Sequence, residues 1–396
     1  MLWRGSDAFE VTDHMEGGMI RAVCLGSVAG TTFGDVLTDS GHAVQVLMPP
    51  PGSVVDGLGR ILESGEEEPA ERAGLPLFAE PPALSAITGV SGTVDTGITA
   101  IDFLAPIPRG GSACVAGERG TGKSELVWSL LHLAGADRAV VATSQQGRVA
   151  GLEAFLGDGL GGIAASGNTF VLARPGDAPA LRARVPLSAL AVAEHRRSGM
   201  GLDTLLLVDG TFGSAAASLL REGRFFERCA SAEGQLTLVF TAEAEAGQEA
   251  TDAAGALSGS FDAVIATTAQ LSSRAIFPAV DVVESTSKAL DPSLVGQRHC
   301  DAAMGTKELL MRARELEEAV AMLGEDVLSP ADALVVRRAA LARAALDQPS
   351  VAFERVTGRR GEHRVVQRAV ELFEELLAGT LDSATGPELA ARMRGA

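Results

Sequence analysis

Lysine is almost missing from this 396-residue chain: Lys123, Lys288 and Lys307 are its only three. Positive charge is left almost wholly to arginine, and it is outnumbered, the formal net charge being −18. A chain so acidic lacks the basic face that neutralises phosphate backbones, so no nucleic acid partner is expected. Cysteine is also scarce. Cys24, Cys114, Cys229 and Cys300 stand far apart with no C-x-x-C pair, which gives no zinc pattern, fits a reducing cytoplasm and reads as four small buried hydrophobes. No uninterrupted apolar span is long enough to cross a bilayer. The N-terminus carries Asp7, Glu10, Asp13 and Glu16 where a secretory leader needs a basic and then an apolar region. The expectation is a soluble, cytoplasmic chain, or one peripheral on the inner face of a membrane through a docked complex. Six histidines, His14, His42, His132, His195, His299 and His363, show neither metal spacing nor a paired nucleophile and read as structural. No internal repeat or low-complexity segment stands out.

What is present begins with Gly117-Glu118-Arg119-Gly120-Thr121-Gly122-Lys123-Ser124, which fits G-x-x-x-x-G-K-[ST] and follows the strand-like run Ala113–Ala116. Interleaved glycines let the backbone curl and aim its N–H groups at phosphate oxygens, while Lys123 supplies a charge and Ser124 a hydroxyl for Mg²⁺. The helix expected from Lys123 to about His132 adds its positive N-terminal end. Gly117 through Glu125 are therefore the candidate nucleotide-binding residues, with ATP or ADP and Mg²⁺ as cofactors. Farther on, Leu205-Leu206-Leu207-Val208-Asp209 is an apolar strand ending in an acid, the form of an element that orients Mg²⁺ between phosphates. Strands often end in a solvated Asp, but some eighty residues after a P-loop the metal reading is the better one.

Three regions follow from the patterning. Residues 1–80 hold short β-rich pieces, Ile20–Leu25 and Ala43–Leu47, broken by Gly, Asp and Pro, and suggest a reduced β-barrel closed by a linker at Glu66–Pro69 and Pro76–Pro82. Residues 81–300 alternate strand-like runs (Ala139–Thr143, Thr169–Ala173, Leu205–Val208, Leu236–Thr241, Ala263–Thr267) with helical ones, the signature of an α/β fold with a RecA-like parallel sheet. Residues 301–396 read as helices. Leu309, Ala313, Leu316, Val320 and Leu323 form one stripe that stops at Gly324, Ser329-Pro330 starts a second helix, and a third covers about Val365 to Ala378 before Gly379.

The text around these motifs resembles the beta subunit of F-type ATP synthases. Thr96-Gly97-Ile98 through Pro106 is similar to that family's approach to the P-loop, and Arg182-Ala183-Arg184-Val185 with Leu190, Val192, Ala193 and Glu194 to a later segment of it. Ser273-Arg274-Ala275-Ile276, Phe277-Pro278-Ala279-Val280-Asp281 and Ser285 to Pro292 follow its later segments. Leu323 to Ser329 resembles the loop that faces the rotor, and Gln348-Pro349 with Val356-Thr357-Gly358 its adenine-pocket runs. The similarity extends in order from about Ile20 to Glu388. It implies a hexameric ring in which this chain alternates with an alpha-like subunit around a central shaft.

Departures from the pattern qualify that expectation. Family beta subunits carry a water-polarising glutamate in a run that here reads Thr143-Ser144-Gln145-Gln146-Gly147-Arg148, with no acid between Asp137 and Glu153. Gln146, or Gln145 one register away, takes the place of that base. The noncatalytic alpha subunits resemble this chain there and in the P-loop. No arginine follows soon after Phe212 where the family keeps one for phosphate. Phe277 keeps an aromatic for adenine, but Ser350 and Val356 replace two others. Lys288 stands where alpha subunits place an arginine finger; it either keeps that charge for a neighbour's site or only pairs with a surface acid. The resemblance thus implies a nucleotide-binding ring subunit, weak or silent in catalysis at its own site. A homo-oligomeric ATPase of the secretion and flagellar export type is the alternative if another acid, Glu118 or Glu125, polarises water. A non-catalytic structural or regulatory subunit is the third reading.

Overall fold

A computed structural model describes the chain apart from residues 6, 27–30, 65–70, 134–137, 145–166, 175, 211, 213, 233, 246, 259–260, 275, 324–327, 352–353, 355–357 and 395–396. Gln145, Gln146, Val356, the Glu66–Pro69 linker and most of the rotor-facing loop therefore lie outside the described residues. The chain forms two compact units, each drawn from two stretches of sequence: Met1–Gly89 with Ala136–Phe240, and Val90–Gly135 with Thr241–Ala396.

In the first unit the opening residues fold into a small antiparallel sheet, its strands ordered Ile20–Cys24, Asp7–His14, Leu2–Arg4 and Thr38–Asp39. Behind it in sequence come the apolar runs expected to be strands. Leu236–Glu243, Thr204–Asp209, Arg138–Thr143 and Thr169–Leu172 lie side by side, all parallel. Every residue of Thr204–Asp209 and Thr169–Leu172 is buried, as expected for strands with both faces covered. Two strands from the N-terminal region extend this same sheet: Ser53–Val55 pairs parallel with Thr169–Leu172, and Ile61–Ser64 pairs antiparallel outside it. The helix Pro179–Glu194, which opens on a proline at its first position, is buried along most of its length. Its last residue, Glu194, takes a two-pronged grip from the fully buried Arg228, at 2.9 Å and 2.5 Å.

In the second unit the strand Ser112–Gly117 runs parallel to Ala263–Thr267, and Thr286–Ser287 pairs antiparallel on the far side of the latter. The C-terminal helices are Gln297–Leu323, Pro330–Leu346, Val366–Ala378 and Gly386–Arg394. Ser329 caps the second by accepting the Asp332 N–H at 3.2 Å, and Gly379 ends the third with a left-handed φ of 83°. The fourth helix has no counterpart in the sequence reading. The buried stripe of the first helix also differs from expectation: it runs through Ala303, Thr306, Leu310, Ala313 and Leu316, while Leu309 and Val320 are only half-buried. Small residues on the helix face let it pack closely, and they carry too little hydrophobicity to mark the stripe beforehand. No described helix is long and apolar enough to cross a membrane.

Gln348 ties this unit together from within. Its side chain accepts from Thr99 N–H at 2.9 Å and donates to the carbonyls of Gly97 and Glu362 at 2.6 and 2.7 Å. One turn away sits the buried Asp102, whose carboxylate accepts from Thr96 N–H and lies 2.6 Å from the Thr96 hydroxyl. Burial, partly offset by those hydrogen bonds, pushes its pKa from 3.8 to about 7. The folded chain thus keeps a proton that the unfolded chain releases near the ordinary carboxyl value, so stability falls as pH rises from about 4 to about 7. Asp102→Asn should flatten that part of the profile, read as the urea midpoint across this range. Equal pH dependence in variant and wild type would refute the assignment.

Candidate nucleotide site

The strand Ser112–Gly117 delivers the glycine loop, and Gly117 explains why glycine is needed. A Cβ there would run into the carbonyl oxygen and hydroxyl of Thr267 on the neighbouring strand. The Thr267 hydroxyl reaches Ala116 O at 3.2 Å and Thr121 Oγ1 at 2.7 Å, and Thr121 in turn donates to Glu118 O at 2.8 Å. Gly120 and Gly122 take φ values of +82° and +85°, which side chains resist. Ser272 donates to Gly120 O from outside, at 3.2 Å. The result is a curled backbone braced by three hydroxyls.

The helix Lys123–Leu133 starts directly from this loop, with Leu126 N–H bonded to Gly122 O at 2.9 Å and Ser124 buried in its first turn. Lys123 folds back over the curl, its ammonium donating to Gly117 O at 2.8 Å and Glu118 O at 2.6 Å. A cationic group perched over a ring of amides at a helix N-terminus suits a polyphosphate, whose oxygens can take over both the lysine and the amides.

From the loop a cavity of about 190 Å³ leads away. Thr121, Gly122 and Glu125 border its phosphate-like end; Phe277, Ser350 and Arg359 border its far end. Phe277 is held by its backbone: its N–H reaches Asp347 Oδ1 at 3.4 Å, and its carbonyl accepts Gln348 N–H at 2.7 Å. The glycine loop thus borders the cavity on one side and an aromatic ring on another, surfaces suited to the phosphates and the base of a nucleotide. Glu118 and Arg119 face a different place. They border an open concavity with Glu243, Ala244 and Glu245, where Arg119 Nε stands 3.8 Å from Glu243 Oε1.

Asp209 belongs to the first unit. It ends the strand Thr204–Asp209 fully buried, in register with Thr143, and its carbonyl accepts Ser144 N–H at 3.3 Å. Gly210 follows with φ 121°, where any Cβ would strike the Ser144 hydroxyl. Thr143 and Ser144 are the residues just before Gln145 in sequence.

Lys288 is placed away from its own loop. Its ammonium pairs with Asp262 Oδ1 at 3.1 Å, and the other oxygen of that carboxylate holds Ser112 N–H and hydroxyl at 2.9 and 3.0 Å. Ser112 begins the strand that Gly117 ends, and at about 3.3 Å per residue the strand's length separates Lys288 from the loop. Within one chain Lys288 pairs with Asp262, a strand's length from the loop; a finger role would need a neighbour's site.

Residues 97–222 match the family model described as the ATP synthase alpha/beta family, nucleotide-binding domain, a stretch that holds both the loop and Asp209. The ATP synthase subunit beta of Coprothermobacter proteolyticus is 32% identical over 404 residues, covering 96% of this chain and 88% of that protein. This chain belongs to the ATP synthase alpha/beta family. The alignment to a beta subunit covers 96% of this chain, so the beta-like resemblance holds along nearly its whole length. Thr267, Ser272 and Arg359 join the family's loop and cavity without having been singled out beforehand. Ser272 stands next to the Ser273-Arg274 match, and Arg359 directly after Gly358, so proximity to a matched run was the available signal.

Proposed function

We propose that this chain is a beta-like subunit of a rotary ATPase headpiece that binds Mg-ATP or Mg-ADP and turns it over weakly or not at all at its own site. The observation that carries the reading is the cavity joining a braced glycine loop to Phe277. Beside it Lys123 would neutralise phosphate charge, the loop amides would orient the oxygens and the Ser124 hydroxyl would serve Mg²⁺; Asp209 is the carboxylate that the family resemblance assigns to the metal. Held there, Mg²⁺ would supply Lewis-acid polarisation of the phosphoryl oxygens. At the sequence position of the family's glutamate this chain has no acid. Gln145 and Gln146 can hold a water by hydrogen bonding but cannot take its proton.

The ring around it would alternate this chain with an alpha-like subunit about a shaft, with Lys288 reaching the neighbour's nucleotide. Glu125 at the phosphate end of the cavity favours a second reading, a homo-oligomeric ATPase in which that acid polarises water. Light scattering and ATPase assays on the chain alone and mixed with an alpha-like partner separate the two. A ring-sized mass only in the mixture, with a silent isolated chain, is the expected result. A homo-oligomer that hydrolyses ATP supports the second reading, and a chain that stays monomeric with partner and nucleotide defeats both.

A further inference from the structure

At the far end of the cavity, Phe277 is the one described aromatic ring, and the position across the matched runs is the small, buried Ser350, whose hydroxyl sits 3.4 Å from that of Ser129. A base entering there meets one ring and a space that a serine leaves open. Arg359 borders the same end. Its side chain is 55% exposed and its guanidinium is tethered at 3.5 Å to Asp347, the residue whose other carboxylate oxygen accepts Phe277 N–H. One carboxylate therefore holds the aromatic backbone and the arginine to the same rim.

We propose that Arg359 is the base-contacting residue of this site, its planar guanidinium laid against the face of a purine whose other side rests on Phe277. The inference rests on the nucleotide-binding reading above. A guanidinium stacks on flat π systems, being planar, weakly hydrated and permanently charged; a lysine ammonium offers the charge without the plane. The long, solvent-facing side chain suits the task, since it can swing over a base once bound and needs no rearrangement of the core.

Calorimetry on the full chain with Mg-ATP and, separately, with magnesium tripolyphosphate, which has the phosphates and no base, tests the assignment. Arg359→Ala should weaken ATP affinity about tenfold, the scale of one stacking contact, and leave tripolyphosphate affinity unchanged. Arg359→Lys should lose as much as the alanine variant. An ATP affinity restored by lysine, or a tripolyphosphate affinity that falls in step, would show Arg359 reading phosphate charge and overturn the proposal. So would ATP binding indifferent to the alanine variant. A wild-type chain that binds tripolyphosphate and ATP equally also overturns it while leaving the phosphate site standing. One that binds neither overturns the nucleotide reading beneath it. Arg359 is exposed and bonded at the rim, so thermal melts of both variants should match wild type.

Discussion

Lys123→Ala should reduce Mg-ATP affinity by about 10² to 10⁴, to the point where calorimetry records no binding heat. The lysine is the loop's only cationic side chain directed over the curl, donating to Gly117 O and Glu118 O. Each hydrogen bond to a charged partner contributes about 1.5 to 3 kcal/mol, and a phosphate tail would take two or more from this ammonium. The loop itself should survive the change. Its curl is braced by Thr121, Thr267 and Ser272, none of which needs the lysine. A melting temperature near that of wild type, together with lost binding, is the expected pair of results. Unchanged affinity would remove the P-loop from the account altogether.

Gln146→Glu, with Gln145→Glu as the alternative register, should raise ATP turnover of the assembled ring by about 10² to 10⁴, the usual contribution of a positioned general base. Thr143 and Ser144, which precede these glutamines in sequence, lie beside Asp209: Thr143 is in register with it, and Ser144 N–H donates to its carbonyl. Single-turnover assays with excess enzyme isolate the chemical step from product release. If the unmodified ring already hydrolyses ATP at the rate of an intact base-bearing site, and Lys123 is needed for that rate, the silent-site inference fails and Glu125 becomes the acid to mutate.

Local chemistry was the legible part of this molecule. The glycine loop, the helix it opens, Ser329 as a cap and Gly379 as a stop each depend on a few adjacent residues, and each stands where the spacing placed it. The five apolar runs of the α/β core likewise became strands. Contacts between distant segments were not legible. Nothing in Ser53-Val54-Val55 announces that it will pair with Thr169–Leu172 rather than remain with the N-terminal sheet, because three β-prone residues fit either edge. Nor does Gly386–Arg394 announce a helix, with a glycine and a proline at its start. Arg359 was hidden for the same reason: its place in the cavity depends on how the chain returns past Asp347, and an arginine in a charged run looks like a solvated surface.

Lys123 shares its ammonium between two neutral carbonyls, Gly117 O and Glu118 O. A phosphate tail bound by this lysine would compete with Gly117 O and Glu118 O for its N–H groups. Neutral carbonyls lose that contest in proportion to the charge of their rival, so the exchange favours the more heavily charged tail. The loop thereby weighs phosphate charge before any base is read: a lone phosphate gains little from the swap, and a di- or triphosphate with a metal gains much more. A preference for longer phosphate tails is the expected consequence of a lysine shared by two neutral carbonyls.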